Sequence, residues 1–192
     1  SRRQRQMCIR DSSFMRGQTD VMFYYGPINN PNLIENWVSR SVFIPCASPD
    51  YLKRYGTPQT PQELESHIGV LYTGRHRHQE QILERAGERR AYQWHSTLRA
   101  NHMKAAKAAV LAGAGILADI PMHYCYKELI SGELVAVLNG WHVPNLDYYI
   151  ASTIEASRLK RVQIFIEWYV QKRREIEAER KRILQQQYHI PI

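Results

Sequence analysis

The sequence predicts an α/β fold with largely parallel sheets, and three observations carry that prediction. Short apolar runs of strand length recur along the chain, for example SVFIPCA at 41–47, IGVLY at 68–72 and LDYYIAST at 146–153. Helical stretches with their own start and stop signals fall between such runs, and strands alternating with helices are the pattern of sheets covered by helices. Apolar residues make up 44% and charged residues 23% of the 192, the balance of a globular protein with room for one core or two small lobes.

Taken in order, DVMFYYG at 20–26 is rich in β-formers and stops at Gly26-Pro27, which marks a strand end. Residues 27–36 are rich in Pro and Asn and predict a loop, and 41–47 the next strand. Ser48-Pro49 then offers a capping hydroxyl followed by proline in the first helical turn, so a helix carrying Tyr51, Leu52 and Tyr55 is expected up to Gly56. Pro58 and Pro61 mark a turn, 62–67 a short helical stretch and 68–72 a buried strand. The arginine-rich 73–90 predicts a surface loop with some helix, and 92–100 a strand. Asn101 is placed to cap the helix HMKAAKAAVLAG, which Gly113 ends. Strand-like GILADIP at 115–121, a helix over 122–131, a strand at 133–138 and another at 146–153 follow. One long helix from about Glu155 to Gln187 closes the chain, its second half thinning to Ile176 and Ile183 among charges, which reads as a solvated tail.

The formal charge of +8 does not make this a nucleic-acid-binding body. Residues 1–12 net +3 and 158–192 net +5, leaving the remainder neutral. A domain that grips phosphates through its folded face needs a basic patch there. No run of eighteen apolar residues is present, so no membrane partner is expected. Cys8, Cys46 and Cys125 have no CxxC spacing, which suits a reducing, cytoplasmic setting and small buried thiols. The first twelve residues, SRRQRQMCIRDS, have no periodicity and resemble the translation of a sequencing-library adapter, so they are left out of the fold. The chain opens at Ser1, and natural sequence is expected to begin near Ser13, inside a domain.

An ordered set of short motifs then carries a resemblance. Ser48-Pro-Asp-Tyr-Leu with Gly56-Thr-Pro58, then Pro61-Gln-Glu-Leu64 and His67, resembles the effector domain of LysR-type transcriptional regulators. Asp20-Val21 with Gly26, Asn101 with Ala105-Ala106, and Leu111-Ala-Gly-Ala-Gly115-Ile116 reaching Pro121 continue the likeness in the same order. Ser131-Gly-Glu-Leu134-Val135 with Leu138 and Trp141, and Arg161 to Tyr169, complete it over about 13–172. Five residues separate Gly115 from Pro121, one more than the usual form of that motif.

The resemblance implies a two-lobed, type II periplasmic-binding-protein-like fold whose first lobe lacks its opening elements. Lobe one would be 13–40 with 154–175. Lobe two would be 41–153 including both crossing strands, and 176–192 a charged helical tail. It also implies a small-molecule effector, often an organic acid, held between the lobes. DNA would be met only through a helix-turn-helix missing from this chain, and the full-length parent would be a homo-oligomer. Helix N-termini that follow strands suit such an anion, since their free N–H groups carry about half a positive charge. The candidate effector residues are Tyr25 and Gly26 on the first lobe, Cys46 and Ser48 on the crossing strand and its cap, and Asn101, His102, Pro121 and Met122. One of Tyr24 and Tyr25 should be core, because neighbours on a strand face opposite ways.

No catalytic residue, metal ligand or cofactor is assigned. Arg75-His-Arg-His78 holds two histidines but suggests no third ligand, and Trp94 and Trp141 read as packing. No Gly-rich phosphate loop, nucleophile elbow or HExxH is present. Two alternatives stay open: a periplasmic solute-binding protein of the same fold, and an enzyme using Cys46 or Cys125 with a histidine.

Overall fold

The computed structural model describes residues 19–26, 30–73, 81–187 and 189–190. The adapter-like 1–12 with Cys8, and the arginine–histidine run 75–78, lie outside these. In chain order come β1 (Val21–Tyr25), β2 (Leu33–Ser41), β3 (Cys46–Ala47), α1 (Pro49–Tyr55), a 3-10 turn (Pro61–Ser66) and β4 (Ile68–Tyr72). Then follow β5 (Ile82–Arg85), β6 (Glu88–Ala91), β7 (Ser96–Ala100), α2 (Met103–Leu111), α3 (Met122–Ser131) and β8 (Val135–Ala136). A 3-10 turn (Leu138–Gly140), β9 (Leu146–Thr153), α4 (Ile154–Ser157) and α5 (Lys160–Gln186) complete the chain. Contacts divide it into two compact units: the chain through Arg40 with 146–176, and 41–145 with the chain from 177 onward.

The first unit is a three-stranded sheet in the order β1-β9-β2, with β1 antiparallel to β9 and Tyr25 opposite Tyr148. The expected 27–36 loop is corrected here, because β2 already starts at Leu33. Its Glu35, Asn36 and Trp37 hide the strand from a hydrophobic reading; pairing and side-chain clamps hold it instead. Trp37 Nε1 (3.0 Å) and Arg40 Nε (3.2 Å) donate to the Asp147 carboxylate on β9. Those two hydrogen bonds, Trp37's first, keep that carboxyl below its ordinary value. From α5, Arg174 donates to the carbonyls of Val38 (2.7 Å) and Trp37 (2.8 Å).

The predicted strand 41–47 is split: β2 ends at Ser41, β3 holds only 46–47, and Pro45 between them has no N–H for a ladder. The single closing helix is also two. Thr153 caps α4 by accepting from Ala156 N at 3.1 Å. Its end is marked by Ser157 Oγ donating to Ile154 O (2.8 Å) and Gln163 Nε2 donating to Ser157 O (3.0 Å). Such side-chain bonds compete with the helical ladder.

In the second unit β4 and β7 run parallel, with Tyr72 opposite Ala100. Residues 116–121 join the free edge of β4, Val70 N donating to Ile116 O at 2.7 Å. They then pair antiparallel with 42–46 through Cys46 N to Leu117 O (3.1 Å), Ile44 N to Ile120 O (3.0 Å) and Met122 N to Val42 O (2.9 Å). β8 closes the layer, with Ala136 opposite Cys46. The order across the layer is therefore β7, β4, 116–121, β3, β8. The strands expected at 115–121 and 133–138 survive only as bridges and as two residues, because turns at 118–119 and 138–140 interrupt them. Helices α2 and α3 cover the layer, burying Met103, Ala106, Val110, Met122, Cys125 and Leu129 in one apolar core.

Two further expectations change. The 73–90 loop contains a hairpin, β5–β6, turning at Ala86 (φ 49°) and Gly87 (φ 85°), two left-handed residues as a tight two-residue turn requires. The tail is not fully solvated: Leu184 is completely buried in the second unit's core. By contacts, β9 groups with the first unit and 177 onward with the second.

Candidate functional site

Because β4, β7 and 116–121 are parallel, their carboxyl ends come out at one end of the layer, where α2 and α3 begin. This is the arrangement in which open α/β sheets hold ligands. β4 ends at Tyr72-Thr73, and Thr73 donates from N (2.9 Å) and Oγ1 (3.3 Å) to Ala100 O, the last residue of β7. Asn101 and His102 follow directly. Pro121 ends the third strand opposite Phe43, and Met122 opens α3.

Asn101 is exposed and is not the cap expected of it. His102 has the cap conformation, and its Nδ1 accepts from Lys104 N at 3.2 Å. α2 begins only at Met103, so Asn101 stands one residue outside the cap and its side chain makes no cap bond. α3 starts from Pro121 with no side-chain cap and no acidic residue in its first turn; backbone carbonyls serve there instead, Met122 N donating to Val42 O (2.9 Å) and Tyr124 N to Pro121 O (2.8 Å). Asn101, His102, Pro121 and Met122 are thus brought together with Thr73, which the sequence reading missed. Thr73 carries no motif, and its only signal is its place at a strand end.

Ser48 does not join them. Phe43 lies opposite Pro121, and Ser48 is five residues further along, up to about 16 Å away in extended chain. It neighbours Gly113, at the start of the run that Pro121 ends: a Cβ placed on Gly113 would stand 3.6 Å from Ser48 Oγ. Buried there, the Ser48 hydroxyl accepts from Tyr51 N at 3.4 Å and caps α1. The quoted motif around it has a structural logic. Ile68 N donates to Tyr51 Oη (2.9 Å), which leaves the phenolic hydrogen for His67 Nδ1 at 3.1 Å. Burial holds the His67 imidazole below its ordinary pKa, so it stays neutral, with Nδ1 as acceptor.

Cys46 is fully buried mid-strand, and the neighbouring Cys125 thiol together with burial pushes its own thiol well up. That is the reverse of a reactive thiolate. Cys125 Sγ, also buried, faces the carbonyls of Pro121 (3.7 Å) and Met122 (3.6 Å). On the first unit, Gly26 turns the chain at φ +74° and donates to Asp147 O at 2.8 Å. Tyr24 is the core member of its pair, stacked on Tyr149, while Tyr25 is half-buried against the Tyr148 ring at 5.1 Å. Among the described residues no three His, Cys, Asp or Glu side chains cluster as a metal site. No described helix is long and apolar enough to cross a membrane. Trp94 packs on Gly69, and Trp141 is buried under the guanidinium groups of Arg85 and Arg90 at 4.8 and 5.3 Å.

Comparison with known proteins decides the family. The model of the LysR substrate binding domain matches residues 13–174. This chain belongs to that family. An uncharacterized HTH-type transcriptional regulator of Escherichia coli K12, YhjC, is 29% identical over 152 residues, which are 78% of this chain and 50% of that protein. The HTH-type transcriptional activator AaeR of the same strain is 24% identical over 147 residues, 77% of this chain and 47% of that one. The chain thus spans about half the length of these LysR-family relatives. In fold it is similar to CrgA, a LysR-type regulator of Neisseria meningitidis, with TM-score 0.71 and 20% identity over 84% of this chain and 55% of that one. The regulatory domain of AphB from Vibrio vulnificus gives 0.63 and 24% over 80% and 75%. The fold is that of LysR regulatory domains, the type II periplasmic-binding-protein-like α/β fold.

Proposed function

We propose that this chain is the effector-binding sensor domain of a bacterial LysR-type DNA-binding transcriptional regulator, and that it takes a small organic anion at the Asn101–Pro121 end of its second unit. The observation that carries this reading is the meeting of three parallel strand ends with the starts of α2 and α3, one of them without a side-chain cap. Asn101 would supply a neutral hydrogen bond from its side-chain amide beside Thr73, and the positive end of the α3 dipole a favourable field of about 0.3–1 kcal/mol. Pro121 and Met122 would floor the pocket. Contact with DNA would be made by a winged helix-turn-helix elsewhere in a cytoplasmic, homo-oligomeric parent, which a frame joined to this one in the genomic locus should encode. Binding would act through its unequal affinity for two states of that parent.

Calorimetry with a panel of aliphatic and aromatic monocarboxylates and their matching amides tests the site. A carboxylate should bind at least ten-fold more tightly than its amide, and Asn101→Leu should weaken it far more than Lys53→Ala on α1. Equal binding of acid and amide, or the reverse order of the two variants, sinks the proposal.

A further inference from the structure

The family match ends at residue 174, yet the helix continues to Gln186, and from 177 onward its contacts are with the second unit. Among the described residues, three contacts stand out. Leu184 is completely buried in the core that contains Met122, Cys125 and Leu129. One turn earlier, on the same helix face, the Arg180 guanidinium stands 5.0 Å over the ring of Tyr126, itself one turn into α3 from Met122. Beyond the helix, Ile190 packs against the same core and its N–H returns to Leu184 O at 2.9 Å. Between these contacts the segment is exposed and charged or amide-bearing: Glu179, Lys181, Arg182, Gln185 and Gln186.

Among its described residues this polar segment buries one apolar side chain completely, Leu184, with Ile190 partly buried, whereas α2 buries Met103, Ala106 and Val110. Local opening is cheapest where few buried apolar contacts must break. Arg180 reaches the first half of α3 at Tyr126, and Leu184 shares its core with Met122 and Cys125 of that helix.

We propose that residues 177–187 with 189–190 form a detachable strap on α3, whose docking holds the Pro121–Met122 end of that helix in place and keeps Cys125 covered. Undocking releases both without unfolding the rest of the second unit. The strap is a property of this fold and does not depend on the ligand reading above.

Hydrogen exchange of the full chain, read peptide by peptide, and alkylation of Cys125 by iodoacetamide in a Cys8→Ser background test it. In the unsubstituted strap, amides of 178–186 should exchange at least ten-fold faster than those of 68–72 in β4. Leu184→Asp should raise exchange in 122–126 and the Cys125 alkylation rate by ten-fold or more while leaving 68–72 protected, and Arg180→Gln should do the same to a smaller degree. Strap amides as slow as β4 would overturn the proposal, because the segment would then be integral core. So would loss of protection at 68–72 in both variants. Wild-type alkylation and 122–126 exchange in Leu184→Asp would also overturn it, by showing that the segment holds nothing in place.

Discussion

The two ends of the second unit's layer are made from similar parts and finished differently. At the Ser48 end several polar groups are bonded within the protein: Ser48 caps α1, Tyr51 bridges Ile68 and His67, and Arg54 Nη2 donates to Gly113 O at 3.2 Å. At the Asn101 end the strand ends carry exposed Thr73, Asn101 and His102; Thr73 and His102 bond to their own neighbours, whereas the Asn101 side chain makes no cap bond, and α3 begins without a side-chain cap. The difference teaches where each kind of residue is spent. Groups satisfied inside the protein stabilise it, whereas groups left facing solvent remain available to a ligand.

The comparison can be broken most sharply at the closed end. A Cβ on Gly115 would run into the Ile68 carbonyl oxygen, so Gly115→Val should destabilise the chain by about 3 kcal/mol in chemical denaturation, the upper part of the usual overpacking range. Next in size is Tyr51→Phe. It leaves the buried Ile68 N–H and His67 Nδ1 without their partner, at an expected cost of about 2 kcal/mol by the same measurement.

A smaller effect follows from His67, whose folded pKa is depressed by burial. Its neutral form is the folded one, so its contribution is full above the unfolded value of about 6.5 and is lost as pH falls through the folded pKa. Stability measured from pH 7 down to 5 should therefore decline, and His67→Gln should flatten that decline. The smallest effect belongs to the open end. Asn101→Ala should change stability by no more than about 0.5 kcal/mol, as for an exposed side chain outside any cap. A larger loss there than in Tyr51→Phe would erase the distinction between the two ends.

The pattern of what was legible follows the range of the forces. Ser48 capping a helix that begins at Pro49 and stops at Gly56 was readable, because cap, proline and glycine act within one turn of the chain. Strand β4 was readable for the same kind of reason, as a continuous apolar run between turn signals. β2 was not, because Asp147 and Arg174, each more than a hundred residues away, hold it through Trp37. The β5–β6 hairpin was hidden by arginines, since one buried residue, Leu83, carries its inward face. In the candidate site the same division recurs. Asn101 and Pro121 were reachable as residues following strands; Ser48 follows a strand equally well and lies at the opposite end of the layer.

By itself the sequence determined the α/β class, the positions of α1, α3, β4 and β9, and the order of motifs that assigns the family. These rest on local capping, glycine turns and apolar periodicity, which need no distant partner. The sequence did not determine strand direction: largely parallel sheets were expected, but among the described residues only β4, β7 and 116–121 run parallel, while β1 with β9, β3 with β8 and β5 with β6 pair antiparallel. 116–121 runs parallel to β4 and antiparallel to 42–46, and that alone sends Pro121 to the end shared with Asn101 and leaves Ser48 at the other. The burial of Leu184 was decided in the tertiary structure too, because a lone leucine among charges reads as solvated until a core is placed beside it.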